Sequence, residues 1–190
     1  MRESRPYRKF TTLTELDLSR MLREMEALPW SEVETKTLGK RSVAWLRVTD
    51  AGRNEIPAAE AAFRYVEAIR QAPCTLAVLR RLGFALGARL DDLGSAYVSR
   101  MSPGDVVPPH ADDYSPYYSG YHRVQVVLKQ SPDAAFAVGG DSIATQPRDC
   151  GVFDNLLEHS VQAGSGERCV LLVDVRARAL ANGLTMEFAQ

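Results

Sequence analysis

The second half of this chain is a succession of short apolar segments separated by turn residues, and this pattern limits the fold more than any other feature of the sequence. After Gly94, such segments occur at 96–101, 122–129, 135–140, 150–155, 159–163 and 168–176. Short β-rich segments at intervals of about 8–15 residues are typical of a sandwich or barrel. Polar and apolar residues alternate in 122–129, which predicts a strand with one polar and one apolar face. A polar face that points into a small barrel usually lines a pocket.

Helical patterns come before these strands. Apolar residues recur every three to five positions over 13–28, which predicts an amphipathic helix that ends near Pro29. The segment 57–73 begins and ends with proline and has one apolar face, and we predict a second helix there. A shorter helix is expected over 75–84, and a strand over 43–49.

Helices first and strands later indicate an α+β fold rather than alternating βαβ units. The simplest architecture is a double-stranded β-helix, or jelly roll, with the N-terminal helices packed on its outside. The chain of 190 residues has the length of one domain, since domains average about 150 residues. We therefore expect a single domain over 1–190, in which a helix-rich support (1–95) precedes a jelly-roll core (96–176).

The composition excludes several classes of protein. A net charge of −1 argues against a strongly basic nucleic-acid binder. The basic start is not followed by an apolar stretch, so we expect no signal peptide, and no apolar run approaches the ~18 residues of a membrane span. The three cysteines are far apart and form no CxxC pair, which indicates reduced thiols in a cytoplasmic protein. Nothing in the pattern indicates a particular oligomeric state.

The histidines of the β-rich half carry a possible metal site. His110 and Asp112 are two residues apart, so an extended chain would point both side chains to the same side. His159, just before another short strand, is the obvious third ligand. Two histidines and one carboxylate on one face of a metal form the facial triad of non-haem Fe(II) oxygenases. An isolated His-x-Asp is common by chance, so this interpretation depends on what surrounds it.

An arginine follows the last histidine at a useful position. Arg168 comes nine residues after His159 and begins the apolar strand of 168–176. A guanidinium there can reach into the barrel and bind a carboxylate through two parallel hydrogen bonds. The distal carboxylate of 2-oxoglutarate would need such a group.

Three segments resemble one known family. They are SRMSPGDVVPPHAD (99–112), RVQVVLK (123–129) and CGVFDNLLEHSVQAGSGERCVLLVDVR (150–176). They are similar to the aspartyl/asparaginyl β-hydroxylases, which are Fe(II)- and 2-oxoglutarate-dependent oxygenases with a cupin-like double-stranded β-helix. The resemblance covers residues 97–176.

The resemblance implies roles for individual residues. His110, Asp112 and His159 would be the catalytic metal ligands, and Arg168 and Ser99 would bind 2-oxoglutarate. The cofactors would be Fe(II), 2-oxoglutarate as co-substrate and O2.

Two further positions of the matching strand face the same pocket. Arg123 matches an arginine that faces co-substrate and substrate. Gln125 stands where the family often has a histidine that touches the inner end of the co-substrate, and an amide can donate a similar hydrogen bond without a charge.

A tyrosine-rich stretch over 112–121 is a candidate substrate lid beside the metal. Tyr114 and Tyr117, with Arg123, are the expected substrate-binding residues. The alternatives are an ordinary packed loop and an Arg123 that pairs with a protein carboxylate such as Asp113.

The expected activity is hydroxylation of an unactivated C–H bond by a 2-oxoglutarate-dependent dioxygenase. The expected target is the β-carbon of an Asp/Asn-like residue or a small amino acid, in a small-molecule or peptide substrate that bears a carboxylate or amide. One alternative is a non-catalytic cupin-like domain that binds a metal or small molecule, against which the intact set of site residues argues. Another is a metal-dependent isomerase or dioxygenase without 2-oxoglutarate, which would need neither Arg168 nor Ser99.

Overall fold

The computed structural model of the protein describes residues 6–35, 39–49, 62–112, 117–177 and 180. In chain order its elements are β1 (Tyr7–Thr12), α1 (Glu15–Glu26), β2 (Ser31–Thr35), β3 (Gly39–Thr49), β4 (Phe63–Tyr65), α2 (Pro73–Ala85), β5 (Leu93–Met101), β6 (Val106–His110), β7 (Tyr121–Lys129), β8 (Ala135–Val138), β9 (Asp141–Ser142), β10 (Asp149–Phe153), β11 (His159–Gln162) and β12 (Arg168–Arg176). Short 3₁₀ turns lie at Glu67–Gln71, Leu90–Asp92 and Tyr118–Gly120.

Two antiparallel sheets form a jelly roll. The large sheet has the order β1-β10-β7-β12-β5-β3-β2, with β4 beside β3, and the small sheet has the order β6-β11-β8-β9. All six strands predicted after Gly94 are confirmed, as is the strand predicted over 43–49. The described residues are mainly β, so the α+β expectation overestimated the helices: the sequence argument did not find β1, β2, β4, β6 or β9.

Two of the three predicted helices are confirmed. The first is α1, which begins after Thr14, whose hydroxyl accepts a hydrogen bond from the Asp17 backbone N–H (3.1 Å) and so caps the helix. The second is α2, which has Pro73 in its first turn, where a missing backbone N–H costs nothing. Neither described helix is long and apolar enough to cross a membrane.

The helix predicted over 57–73 is wrong where the structure describes it. Residues 57–61 lie outside the described part of the chain; Phe63–Tyr65 form strand β4, and Glu67–Gln71 form a 3₁₀ turn. The reason is tertiary: β4 pairs with the end of β3, and the Arg47 guanidinium stacks on the rings of Phe63 and Tyr65 at 5.3 and 5.0 Å. These contacts stabilise an extended chain despite its helical periodicity.

The large sheet has two differently used faces. On one face, Val126 of β7 belongs to the same buried cluster as Met21 of α1 and Val78 of α2. On the other face of β7, Arg123 and Gln125 line a cavity that the small sheet also borders. The alternation predicted for this strand therefore separates an apolar core from a polar cavity.

A carboxylate fastens the two helices together. Glu24 of α1 accepts hydrogen bonds from the backbone N–H groups of Cys74 and Thr75 at 2.6 and 2.8 Å, and from the Thr75 hydroxyl at 2.7 Å. These N–H groups are at the start of α2, where no residue of the helix itself can pair with them. Glu24 thus serves as an N-terminal cap supplied by a neighbouring helix.

Replacing this cap should destabilise the fold. We expect Glu24→Ala to lower the free energy of unfolding by about 1–3 kcal/mol, because three donors at the start of α2 lose a charged acceptor. Urea denaturation followed by circular dichroism measures this change. The matched control is Glu26→Ala, an exposed acid on the same helix, which should change the free energy of unfolding little. Equal effects of the two substitutions would contradict the capping role.

Candidate active site

His110, Asp112 and His159 come together where the small sheet meets the cavity. His110 ends β6 and His159 begins β11, and the two residues are directly paired across these strands, with ring centroids 4.3 Å apart. Asp112 follows two residues after His110, and the three possible ligand atoms all lie within 4.8 Å of one another. The expected His-x-Asp and distant histidine therefore form one cluster.

Backbone contacts orient both imidazole rings. Nδ1 of His110 lies 2.9 Å from the Pro108 carbonyl oxygen, and Nδ1 of His159 lies 2.9 Å from that of Leu157. A carbonyl oxygen only accepts, so each Nδ1 carries the hydrogen and donates it. In the neutral form of each ring, Nε2 then has the free lone pair with which histidine binds a metal.

Burial also favours the ligating form of His159. It lowers the pKa of the His159 imidazole to about 4, an effect that outweighs the hydrogen bond to Leu157. The ring is therefore neutral near pH 7.

Asp112 is held through one of its two carboxylate oxygens. Its Oδ2 pairs with Nη1 of Arg123 at 2.8 Å and accepts a hydrogen bond from Nδ2 of Asn155 at 3.2 Å. The Asp112 backbone N–H also donates to the Asn155 carbonyl oxygen (3.0 Å). Among the contacts of the described residues, Oδ1 has no such partner, which leaves one oxygen for a metal. Two nitrogens and one oxygen in this arrangement fit Fe(II).

Arg123 lies between two aspartates. Its Nε and Nη2 each donate to Oδ1 of Asp174 at 3.1 Å, while Nη1 contacts Asp112. The sequence argument reserved the charge of Arg123 for an anionic substrate, with Asp113 as the alternative partner. Asp113 lies outside the described residues, and the structure assigns the guanidinium to Asp174 and Asp112 instead.

The tyrosine-rich stretch is only partly a cavity wall. Tyr117 is wholly buried and donates its hydroxyl to Oδ2 of Asp174 at 2.9 Å, and its expected contact with substrate stays a prediction. Packing and the buried aspartate account for its position. Tyr114 lies outside the described residues. Tyr118, which the sequence argument included with Tyr114, Tyr117 and Tyr121 among the residues that could close over a substrate, lines the cavity beside Arg123.

The sequence argument also missed Asp174 and the contact of Asn155 with Asp112. A signal for Asp174 existed, because it is a lone carboxylate in the apolar run of 168–176. A charged residue inside a buried strand requires a partner of opposite charge.

The cavity has a second polar end. The whole cavity has a volume of about 210 Å³. Ser99, Gln125 and Arg168 line it together with the His-Asp-His cluster. Arg168 is only 2% exposed, and its Nη2 donates to Oε1 of Gln125 at 3.1 Å. No carboxylate of the described residues pairs with it, and burial lowers the pKa of its guanidinium to about 10. A buried, unpaired cation of this kind is expected to bind an anion.

A jelly roll that combines this donor set with a buried arginine in one cavity defines an Fe(II)- and 2-oxoglutarate-dependent hydroxylase. The sequence profile of the Aspartyl/Asparaginyl beta-hydroxylase family matches residues 14–178, and the chain belongs to this family. Membership implies Fe(II), 2-oxoglutarate and O2 as cofactors, which the donor set fits. None of the curated proteins compared with the chain matches it.

Solved structures share the fold. An oxidoreductase of the 2OG-Fe(II) oxygenase family from Burkholderia pseudomallei has a TM-score of 0.66 at 20% identity, over 86% of this chain and 80% of that one. A Pseudomonas putida prolyl-4-hydroxylase has a TM-score of 0.54 at 18% identity, over 91% and 93%. The viral collagen prolyl hydroxylase of Paramecium Bursaria Chlorella virus-1 has a TM-score of 0.55 at 13% identity, over 92% and 98%.

The contact between Arg123 and Asp112 predicts an effect on metal binding. We expect Arg123→Gln to weaken Mn(II) binding about 10–100-fold, because Asp112 loses the partner that orients it. Isothermal titration of the metal-free protein with Mn(II) measures this. Lys129→Gln removes the same charge from an exposed position of β7 and should leave the affinity unchanged. Unchanged Mn(II) affinity in a folded Arg123→Gln variant would contradict the positioning role.

Proposed function

We propose that the protein hydroxylates an unactivated C–H bond, at the β-carbon of an Asp/Asn-like residue or of a small amino acid. The observation that carries the proposal is the buried, unpaired guanidinium of Arg168 in the same cavity as the His-Asp-His cluster. An isomerase or dioxygenase without 2-oxoglutarate would leave this cation without a partner. Bound Fe(II), 2-oxoglutarate and O2 would supply oxidative decarboxylation coupled to hydroxylation.

The residues of the chain divide the work in this proposal. His110, Asp112 and His159 hold the metal, with Asp112 oriented by Arg123 and Asn155. Arg168 and Ser99 bind the distal carboxylate of 2-oxoglutarate, so that its keto-acid end faces the metal. The apolar part of the cavity wall excludes water from the reacting centre.

The size and polarity of the cavity support a small target group. Its volume of about 210 Å³ lies below the ~300–1,000 Å³ of sites that enclose drug-sized ligands, which favours a short side chain over a bulky one. Arg123 uses three of its five N–H groups on Asp174 and Asp112, so two remain to donate to a substrate carbonyl or carboxylate oxygen. Tyr118 would form the aromatic wall beside that group.

The assay that tests this function measures conversion of 2-oxoglutarate to succinate by the Fe(II)-loaded protein, with aspartate, asparagine or peptides that contain them as candidate substrates. We expect turnover that is stimulated by one of these substrates and abolished by a chelator. Arg168→Ala should weaken 2-oxoglutarate binding at least tenfold, and Arg168→Lys should do so less, because an ammonium keeps the charge without the paired hydrogen bonds.

The control for this substitution is Arg80→Ala, an exposed arginine on α2 that should leave binding and turnover unchanged. Conversion of 2-oxoglutarate that is indifferent to Arg168→Ala would contradict the proposed function.

We also propose that the chain is one domain over 1–190, in which 1–95 supports the jelly-roll core of 96–176 and the helices pack outside the barrel. The shared buried cluster of α1, α2 and the large sheet supports this arrangement, as does the contribution of β1, β2 and β3 to that sheet. Limited proteolysis should therefore not release a stable fragment of 95–190. Clean release of such a folded fragment would contradict the proposal.

A further inference from the structure

Three buried hydrogen-bond donors around Arg168 have no acceptor, and two of them belong to residues that line the cavity. They are Nε of Arg168, Nε2 of Gln125 and the hydroxyl of Tyr7, and each is buried without a partner in the part of the chain that the structure describes. Buried polar atoms in folded proteins are rarely left unpaired. Three such atoms in one region indicate a site that an acceptor-rich ligand completes.

The three groups belong to one cluster. Arg168 and Gln125 are in direct contact through Nη2 and Oε1 at 3.1 Å. Gly151 of β10 lies directly opposite Gln125 of β7, and the Tyr7 hydroxyl lies over Gly151, where a side-chain methyl group would overlap it. The Tyr7 ring and the Arg168 guanidinium also pack on the same Phe136 ring, at 5.8 and 5.9 Å. The missing side chain at Gly151 makes room for the phenol.

The free groups of Arg168, Gln125 and Tyr7 are all hydrogen-bond donors, which favours an anionic ligand. The cluster offers a guanidinium, a carboxamide NH₂ and a phenol, and Oε1 of Gln125 is already used by Arg168. Burial, with Asp149 and Cys150 nearby, raises the pKa of the Tyr7 phenol, so this group stays protonated and can donate. A carboxylate has two oxygens that can accept several such hydrogen bonds at once.

We propose that the Tyr7 hydroxyl, with the Gln125 amide, donates to the carboxylate that Arg168 binds. This inference rests on the proposed function, in which that carboxylate is the distal one of 2-oxoglutarate. The family match begins at residue 14, so Tyr7 lies outside it, on the first strand of the large sheet. The co-substrate pocket of this chain thus includes a donor from a strand that precedes the matched region.

Removal of the Tyr7 hydroxyl should weaken 2-oxoglutarate binding without lowering the stability of the protein. The test uses the full-length Mn(II)-loaded protein in isothermal titrations with 2-oxoglutarate and with 2-oxobutyrate, which has the same keto-acid end and no distal carboxylate. Tyr7→Phe should raise the Kd for 2-oxoglutarate about tenfold and leave that for 2-oxobutyrate unchanged. The stability of the unliganded protein should not fall, because the lost hydroxyl had no partner.

Two further variants sharpen the test. Gly151→Ala should displace the Tyr7 ring and produce the same selective loss of 2-oxoglutarate affinity. Tyr65→Phe is the matched control, because the Tyr65 hydroxyl is also buried without a partner among the described residues, but its ring packs against Arg47 rather than Phe136. This control should leave both Kd values unchanged.

The outcomes distinguish this inference from the proposed function. If Tyr7→Phe leaves 2-oxoglutarate binding unchanged while Arg168→Ala abolishes it, the role of Tyr7 is overturned and the proposed function stands. If Arg168→Ala also has no effect, the proposed function itself fails. A loss of affinity for both keto acids together with lower stability would make Tyr7 a structural residue and overturn the inference.

Discussion

Arg123 lies between Asp174 and Asp112 in the interior of the protein, and the metal-binding face is built around this contact. Neither aspartate would be stable as an isolated buried charge, and the arginine would not be either. Asp174 is fixed in turn by the Tyr117 hydroxyl, so the tyrosine-rich stretch is anchored to β12 at Tyr117. A chain of direct contacts therefore runs from an aromatic cluster to the carboxylate of the metal site, and the orientation of Asp112 depends on all of it.

The two ends of the cavity are electrostatically different. At the metal end, protein groups already match the charges, so the ligands are oriented before any metal arrives. At the Arg168 end, a buried cation has no anionic partner, and several donors have no acceptor, among the described residues. Such groups cost stability in the unliganded protein and recover it only when an anion binds. This asymmetry suits an enzyme whose co-substrate is a dicarboxylate with one end on the metal and one end at a fixed cation.

Both ends of the cavity include residues of the large sheet, which has an apolar face toward the core and a polar face toward the cavity. Apolar side chains of β7 and β12 share a buried cluster with residues of α1 and α2. The alternate residues of the same strands face the other way. Arg123 and Gln125 line the cavity there, and Asp174 contacts Arg123. The histidines and arginines of the site therefore lie on paired strands. Asp112 follows the end of β6 and is held by its contacts with Arg123 and Asn155.

Local patterns in the sequence were sufficient to predict the strands of the second half, the closeness of His110 and Asp112, and an arginine at the start of β12. These features depend on residues close together in the chain, where the alternation of an extended strand decides which side chains share a face. Tertiary structure alone decided the strand at Phe63–Tyr65, because its pairing with β3 outweighed a helical period. It also decided the partners of Arg123 and the position of Tyr7 over Gly151. Asp174 and Gly151 are distant in sequence from the residues they contact, so no local pattern could predict those pairs; only the folded sheet brings them together.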